Sequence, residues 1–527
     1  MSFLPGSYLN DAEIDVLLRY NAHDVTETER FYLRSQDKID LRMAIEPDWI
    51  NQSDTGLGRK YFIRALEGAG AACFTSNPDT GRKEPMVTMR PDGVRLADVI
   101  FPYIGFRHPE LVKALEFYKR ITVTDHFDET GRAHRIGRLD NGELVSAESA
   151  EEGEDNVIEA YSFELDGIEI TMGYGGIHGS LDRKLVEGVD ILDLDVTSFY
   201  PSISIQNGVY PAHLGPTFCA VYQQLLDRRL QTPKGSPENT ALKLALNSVF
   251  GSAGSIYTPF YDPAAMLAIT VNGQFLILSL AELLLCVPGL RLIQLNTDGI
   301  TVIVPPGKRD EVTQLYKAWS AATRMPLESA DYRRLWIRDC NNYIAEKTDG
   351  KRKRKGAYQP ERDWHQNQSM PVIRAAAEAA MCDGADLETF IAQAAERNPW
   401  DFLMRLDLSR QSHLLLDSGE KVGGVVRYYV SPQGHSAVKI MPKTRSRVHA
   451  KGHAECTGKR GAWTCTACGE LFKTKKEWTT HADEKHASKL VICQTYDGQP
   501  IDYDMRFYAG EARKLIISER FDAQLSN

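Results

Sequence analysis

Apolar and polar positions alternate along some stretches of this chain and recur at helical spacing along others. Ile168–Met172 alternates and reads as a strand, followed by the glycine-rich turn Tyr174-Gly175-Gly-Ile-His-Gly179. Residues 191–194 (Ile-Leu-Asp-Leu) form an apolar-rich strand with Asp195 at its end. Between Leu292 and Val304 two alternating runs flank a turn at Thr297-Asp298-Gly299, and Asp-Gly in that setting signals a hairpin. Residues 341–345 and 347–356 pattern as a second hairpin with the basic turn Lys351-Arg-Lys-Arg-Lys355. Helical spacing marks residues 25–33, 217–231 and 238–250, and a Pro/Gly turn over 232–237 folds the last two into an antiparallel pair. The chain is predicted helical again from about residue 386 onward, with an interruption over 445–490. The most apolar stretch, 275–288, is broken by Glu282 and is shorter than the about 20 residues of a membrane span, so it predicts a buried helix. The mixture predicts an α+β fold.

Composition changes this picture little. With 527 residues, 43% hydrophobic and 25% charged, the chain is too long for one core and is expected to divide into three or four substructures. No basic-then-apolar signal pattern opens it, which predicts a cytoplasmic protein without a membrane partner. Nine cysteines in so long a chain do not suggest a disulfide framework. Cys219, Cys286, Cys382 and Cys493 stand isolated in apolar contexts, as buried thiols do. The net charge of −9 argues against indiscriminate nucleic-acid binding but is compatible with a local basic groove. Charge is uneven: residues 143–164 are strongly acidic and 443–489 strongly basic.

Three short blocks carry the candidate chemistry. They are Asp195-Val-Thr-Ser-Phe-Tyr200-Pro-Ser202, Lys243-Leu-Ala-Leu-Asn247-Ser-Val-Phe250-Gly251 and Leu295-Asn296-Thr-Asp298-Gly299. Two carboxylates in strand contexts thus bracket a basic amphipathic helix. Two Mg²⁺ ions about 3.5–4 Å apart can clamp the attacking and leaving oxygens of an in-line phosphoryl displacement. Mg²⁺ commonly takes only one or two protein carboxylates plus the substrate phosphates. Lys243, Asn247 and Phe250, at i, i+4 and i+7, share one helix face.

The blocks, in this order, resemble the D-x-x-S-[L/F]-Y-P-S, K-x-x-x-N-S-x-Y-G and Y-x-D-T-D-S motifs of family B DNA polymerases, especially the compact phage type. That resemblance implies Asp195 and Asp298 as catalytic ligands of two Mg²⁺ ions. It implies Tyr200 beneath the incoming sugar, where it excludes a 2′-hydroxyl. It implies Lys243, Asn247 and Phe250 at the nucleotide, with Arg228 or Arg229 as a further phosphate contact and Arg229 preferred. DNA contacts are implied for Tyr174 and Gly175 (from Y-x-G-[G/A]), for Thr270 and Gly273 (from T-x-x-G-R) and for Tyr343 (from K-x-Y). The chain departs from these patterns at several positions. Asn296 replaces the first Asp of the third motif, Gln294 the Tyr and Gly299 the Ser. Phe250 replaces a Tyr and Gln274 an Arg, and Asn341 stands where K-x-Y has its Lys, a charge the run 351–355 is positioned to supply.

The resemblance also implies an organisation: a right hand with an antiparallel-sheet palm, short helical fingers and a helical thumb. Residues 1–60 would be a remnant of a 3′-5′ exonuclease domain, on the strength of Tyr20-x-x-x-Asp24. Residues 61–206 would form the N-terminal part and start of the palm, 207–250 the fingers, 251–385 the palm and 386–527 the thumb. Proofreading is not expected from this chain alone, so a separately encoded exonuclease subunit becomes a candidate partner beside primer-template DNA and dNTPs.

Cys465-x₂-Cys468-x₁₂-His481-x₄-His486 has the spacing of a ββα C₂H₂ zinc finger over about 463–488, with Phe472 and Trp478 at its core positions. Four such ligands make a closed structural zinc site. Its base-reading positions would be Thr474, Glu477 and Thr480, none of them Arg, Asn or Gln. A non-specific DNA grip or a protein contact is expected rather than sequence readout. The overall expectation is a template-directed DNA polymerase, with a non-catalytic DNA-binding scaffold as the alternative.

Overall fold

The computed structural model describes residues 8–127, 133–145, 161–360, 369–442, 445–448, 463–464, 470–474, 476–478, 480–481, 489–493 and 501–522. Its centre is a nine-stranded, wholly antiparallel sheet. In chain order the strands are β1 (Tyr161–Leu165), β2 (Ile168–Met172), β3 (Ile177–Ser180), β4 (Lys184–Val196), β5 (Arg291–Asn296), β6 (Gly299–Val304), β7 (Leu327–Asp339), β8 (Asn342–Lys347) and β9 (Arg352–Arg354). Their order across the sheet is β9-β8-β7-β4-β6-β5-β3-β2-β1. The expected strand Ile168–Met172 and the hairpin between Leu292 and Val304 both form.

Successive strand residues face opposite sides of a sheet. Leu194, Ile300, Leu295 and Gly179 therefore align on one face, and Asp195, Gly299, Asn296 and His178 on the other. The first face joins a large core with the helix α1 (Pro263–Leu285), through Val271, Phe275 and Leu278. Phe106 and Tyr118 join the same core, their rings 5.9 and 5.6 Å from that of Phe275, and on another flank of α1 Asn272 accepts from the Phe101 N–H and donates to the Val99 carbonyl. Covered on both sides, α1 is apolar all round. It is long and apolar enough to cross a membrane, but 78% of its most apolar window is buried within this fold. Glu282 is not stranded in that helix: it accepts hydrogen bonds from the backbone N–H groups of Arg107 and His108.

The predicted helical pair forms as α2 (Thr217–Gln231) and α3 (Pro237–Ser252), the latter capped by Ser236. A third helix, α4 (Asp54–Gly68), completes the group through a shared core that includes Phe62, Leu66, Phe218, Tyr222 and Leu246. Gly58 allows the close approach of α4 to α3, since a Cβ there would lie 2.3 Å from the Leu244 carbonyl oxygen. The expected boundary after residue 60 therefore falls inside a helix that belongs with the pair. The segment carrying Tyr20 and Asp24 is one long helix, Asp11–Arg34, with no buried residue.

The C-terminal region corrects the expectation of a helical thumb. Among the described residues the region holds the helices Leu387–Arg397 and Met505–Leu515, but much of it is strand: Met404–Asp407, His413–Leu416, Val425–Ser431, Ala437–Ile440, Arg445–Val448 and Lys489–Ile492. The reason is legible afterwards. Val425-Val-Arg-Tyr-Tyr-Val is β-branched and aromatic with alternating burial, and Gly419 and Gly424, both at positive φ, mark turns. The basic run 351–355 is likewise no turn, because Arg352–Arg354 is strand β9, paired with β8.

Candidate active site

Asp195 and Asp298 are brought together by register. Asp195 pairs with Gly299 across β4 and β6, and the Val196 N–H donates to the Asp298 carbonyl over 2.8 Å. Asn296 and Gly299 close the β5–β6 hairpin, so Thr297 and Asp298 are its two turn residues. Thr297 sits at φ 33°, a conformation that β-branched residues avoid. Ser198, just after β4, is also left-handed, at φ 52°. Strained non-glycine backbone of this kind costs about 1–3 kcal/mol and clusters at functional sites. Gly299 answers to proximity: a Cβ there would stand 2.9 Å from the Leu194 carbonyl oxygen and 3.2 Å from Asp195 Oδ1. That accounts for its presence where the polymerase motif has Ser.

Both carboxylates open to solvent, and among the described residues neither accepts a side-chain hydrogen bond. Crowding by surrounding protein, followed by repulsion from Asp298, pushes the Asp195 carboxyl up to about 6. Asp298 is also raised, again chiefly by burial. Two adjacent carboxylates without side-chain partners are a donor set suited to a hard divalent cation. Among the described residues no group of three or more His, Cys, Asp or Glu side chains gathers as metal ligands. Any cation here would thus depend on this pair and on substrate oxygens.

Asp193, two residues earlier on the same face, has a different fate. It is buried and accepts hydrogen bonds from the Thr301 hydroxyl (2.6 Å) and the Tyr332 hydroxyl (2.6 Å), with Lys353 Nζ at 3.3 Å. The chain of contacts continues from Thr301 to Gln294, whose amide donates over 3.0 Å. Sequence reading missed this network, although strand alternation from Asp195 would have found Asp193. Asn296 donates to the Cys340 carbonyl (3.1 Å) and so supports the turn from the side.

Several expected residues gather around the carboxylates. Tyr200, on the helix Phe199–Asn207 that follows β4, donates its hydroxyl to the Gly175 carbonyl over 3.1 Å. Its ring lies 4.1 Å from that of Phe250, which ties α3 to the site. Burial and the nearby Asp298 charge push the Tyr200 hydroxyl up to about 12. Lys243 and Asn247 are exposed along the same face of α3 as Phe250. Tyr343, on β8, is buried on the opposite flank, where Lys353 stands over its ring at 5.9 Å.

Other expected residues are placed elsewhere. Arg229 lies at the far end of α2, where its carbonyl accepts from Asn239, eleven residues or roughly 16 Å of helix from Phe250. Neighbouring Arg228 is paired with Glu238. Thr270 and Gly273 lie buried in α1: Thr270 donates to the Met266 carbonyl, and Gly273 packs against Phe199 and Ile203. Helix packing, not DNA contact, explains both. Tyr174 is turned into the core while Gly175 stays exposed. Of the zinc ligands only His481 is described; it is buried, with its ring 4.6 Å from Phe472. Cys465, Cys468 and His486 lie outside the described residues.

No protein-family model matches the chain, and no curated protein matches it. Among solved structures it is similar to the family B DNA polymerase from the hyperthermophilic archaeon Pyrobaculum calidifontis, at 13% sequence identity and a TM-score of 0.39. The match covers 82% of this chain and 54% of that one, so this chain spans about half the length of that polymerase. A likeness this remote assigns no function, and the residues of the site must do so.

Proposed function

We propose that this protein is a template-directed DNA polymerase of family B type that adds dNMP to a primer 3′-OH and releases pyrophosphate. One observation carries the reading: Asp195 and Asp298, far apart in sequence, meet across adjacent antiparallel strands as bare carboxylates with raised pKa. When bound, two Mg²⁺ ions would activate the 3′-oxygen and offset charge on the leaving pyrophosphate. Asp195 and Asp298 would hold them. The 3′-oxygen bonds to the α-phosphorus as the bond from that phosphorus to the bridging oxygen of the β-phosphate breaks. Tyr200, pinned between Phe250 and the Gly175 carbonyl, forms a rigid floor for the sugar and excludes a 2′-hydroxyl. Lys243 lies along the same helix, where a triphosphate would meet it.

In this reading the nine-stranded sheet is the palm, α2 and α3 the fingers, and the region beyond about residue 386 a thumb carrying a C₂H₂ finger with one structural Zn²⁺. Replication of a phage genome in the host cytoplasm is the setting we propose, with primer-template DNA and dNTPs as partners, no membrane, and proofreading left to another chain. Primer extension tests it directly, on DNA and RNA templates and with dNTPs and rNTPs. Wild-type protein should extend a DNA primer with dNTPs, and Asp298→Asn should lower the rate by at least a hundredfold to a thousandfold, about the loss seen on removing one charge-stabilising group from an active site. No extension by correctly folded wild-type protein would favour the alternative of a non-catalytic DNA-binding scaffold. Extension unchanged in Asp298→Asn would refute the site.

A further inference from the structure

Strand β4 runs from Lys184 to Val196, but β6 pairs with it only from Asp190 to Asp195. A register shift against β7 between Glu187 and Ile191, with Gly188 at φ 73°, bends the strand there. The N–H and C=O of Leu185 are therefore left at an open edge, and unpaired edge groups of this kind accept a further strand. The end of the chain supplies it. The Leu185 N–H donates to the Glu519 carbonyl over 2.7 Å and the Phe521 N–H donates to the Leu185 carbonyl over 2.8 Å, a parallel bridge centred on Arg520. Lys184 pairs with Glu519, and Arg520 with Glu187 over 2.8 Å. Exposed ion pairs add little strength, so these set the register rather than the grip.

The grip comes from two anchors. Ile517, 3% exposed, lies in a small core with Trp336 of β7, Ile344 of β8, Tyr358 and Cys382. Phe521 packs against the main core, with the Arg291 guanidinium 5.8 Å from its ring centre. The Arg183 guanidinium donates to the Ile516 carbonyl over 2.8 Å, and the Tyr358 hydroxyl to the Leu515 carbonyl over 2.6 Å. A cavity of about 900 Å³ lies beside the segment, lined on the sheet side by His178, Arg183 and Cys340, so the segment is held at points and not packed along its length. It follows directly from the helix Met505–Leu515, whose Phe507, Tyr508 and Ala512 share a second core with Leu414, Val426 and Val430 of the C-terminal strands. Residues 516–521 thus lead from that core to the sheet that carries Asp195.

We propose that residues 516–521 are a strap that fixes the C-terminal region against the catalytic sheet and thereby sets how long a primer-template duplex stays bound between them. The proposal rests on the polymerase reading above. Changes at an interface act mainly on the off-rate, so release is the quantity to measure. Ile517→Asp/Phe521→Pro places a charge where the small core excludes it and removes the Phe521 N–H, which should detach the strap. Hydrogen exchange at the Leu185 amide, slow in the wild-type protein, should become fast. Release of a fluorescent primer-template, chased with excess unlabelled duplex and without turnover, should then quicken by about fivefold or more. Addition of a single dNMP to pre-bound primer-template should keep its wild-type rate. Phe521→Pro alone leaves Ile517 seated and should move exchange and release the same way by less, which separates loss of the strap from loss of the fold. Fast exchange with unchanged release overturns the proposal, and so does slow exchange in the double variant. A drop in single-nucleotide addition as large as the gain in release also overturns it, by assigning the strap to the catalytic strand instead of the duplex. Failure of the polymerase reading has a separate signature, namely primer extension unaffected by Asp298→Asn, because release is measured without catalysis.

Discussion

Two groups of carboxylates on the same sheet meet opposite treatment. Glu346, on β8, is 2% exposed and is surrounded by Arg333, Arg334 and Arg352. Burial presses its carboxyl upward, but Arg334 and Arg333 outweigh that and hold it below the usual carboxylate range. Asp195 and Asp298 stand on neighbouring strands with no such partner; crowding by surrounding protein raises both, and repulsion from Asp298 adds to the rise at Asp195. The first arrangement satisfies a charge and stabilises the fold. The second leaves charge unsatisfied, which costs stability and creates affinity for something absent from the chain itself. Within one sheet, the unpartnered acids are the ones to read as functional.

Substitution should break this contrast in opposite directions. Glu346→Gln leaves arginines facing a lost partner, and breaking a buried ion pair on one side costs about 3–5 kcal/mol, so urea unfolding should show a loss near the lower end of that range. Asp195→Asn should do the reverse and raise the melting temperature of metal-free protein at pH 7.5. The gain should shrink as pH falls. The Asp195 carboxyl keeps its proton up to about 6, whereas an unfolded chain releases it near 4. The folded state therefore binds more protons between those values, and wild-type stability falls as pH rises through the window. Melting curves of both proteins at pH 5 and 7.5 in EDTA check this; equal gaps at the two pH values would count against it. The smallest effect concerns Asn296. Asn296→Asp adds a negative charge to the row shared with Asp195 and forfeits the bond to the Cys340 carbonyl, worth about 1 kcal/mol. Mn²⁺ should bind it a few-fold more tightly by calorimetry, at the expense of a slightly lower melting temperature.

The sequence was most readable where short-range geometry dictates structure. The alternating runs around Asp298-Gly299 form a hairpin because two-residue turns pin the register, and that register places Asp298 against Asp195. The pair α2 and α3 followed from helical spacing and a Pro/Gly turn. Long-range partners were not readable. Nothing near Lys353 announces that Asp193 and Tyr332 await it, and nothing near Arg354 announces Glu378. The run 351–355 looks like a solvated turn until a second layer of structure is placed against it. Thr270 and Gly273 carry a motif-like spelling, yet they lie on a helix covered on both sides, and burial depends on the whole fold. The C-terminal strands are short, and short apolar runs do not distinguish strand from helix by period alone.

The central claim is that Asp195 and Asp298 jointly hold divalent cations where a strand end and a nucleotide meet. Electron paramagnetic resonance titration of Mn²⁺, with primer-template and a non-hydrolysable dNTP present, measures this without turnover. Two bound ions in the wild-type protein, with loss of bound ions in both Asp195→Asn and Asp298→Asn, is the expected result. The same number of ions bound with the same affinity in all three proteins would contradict it.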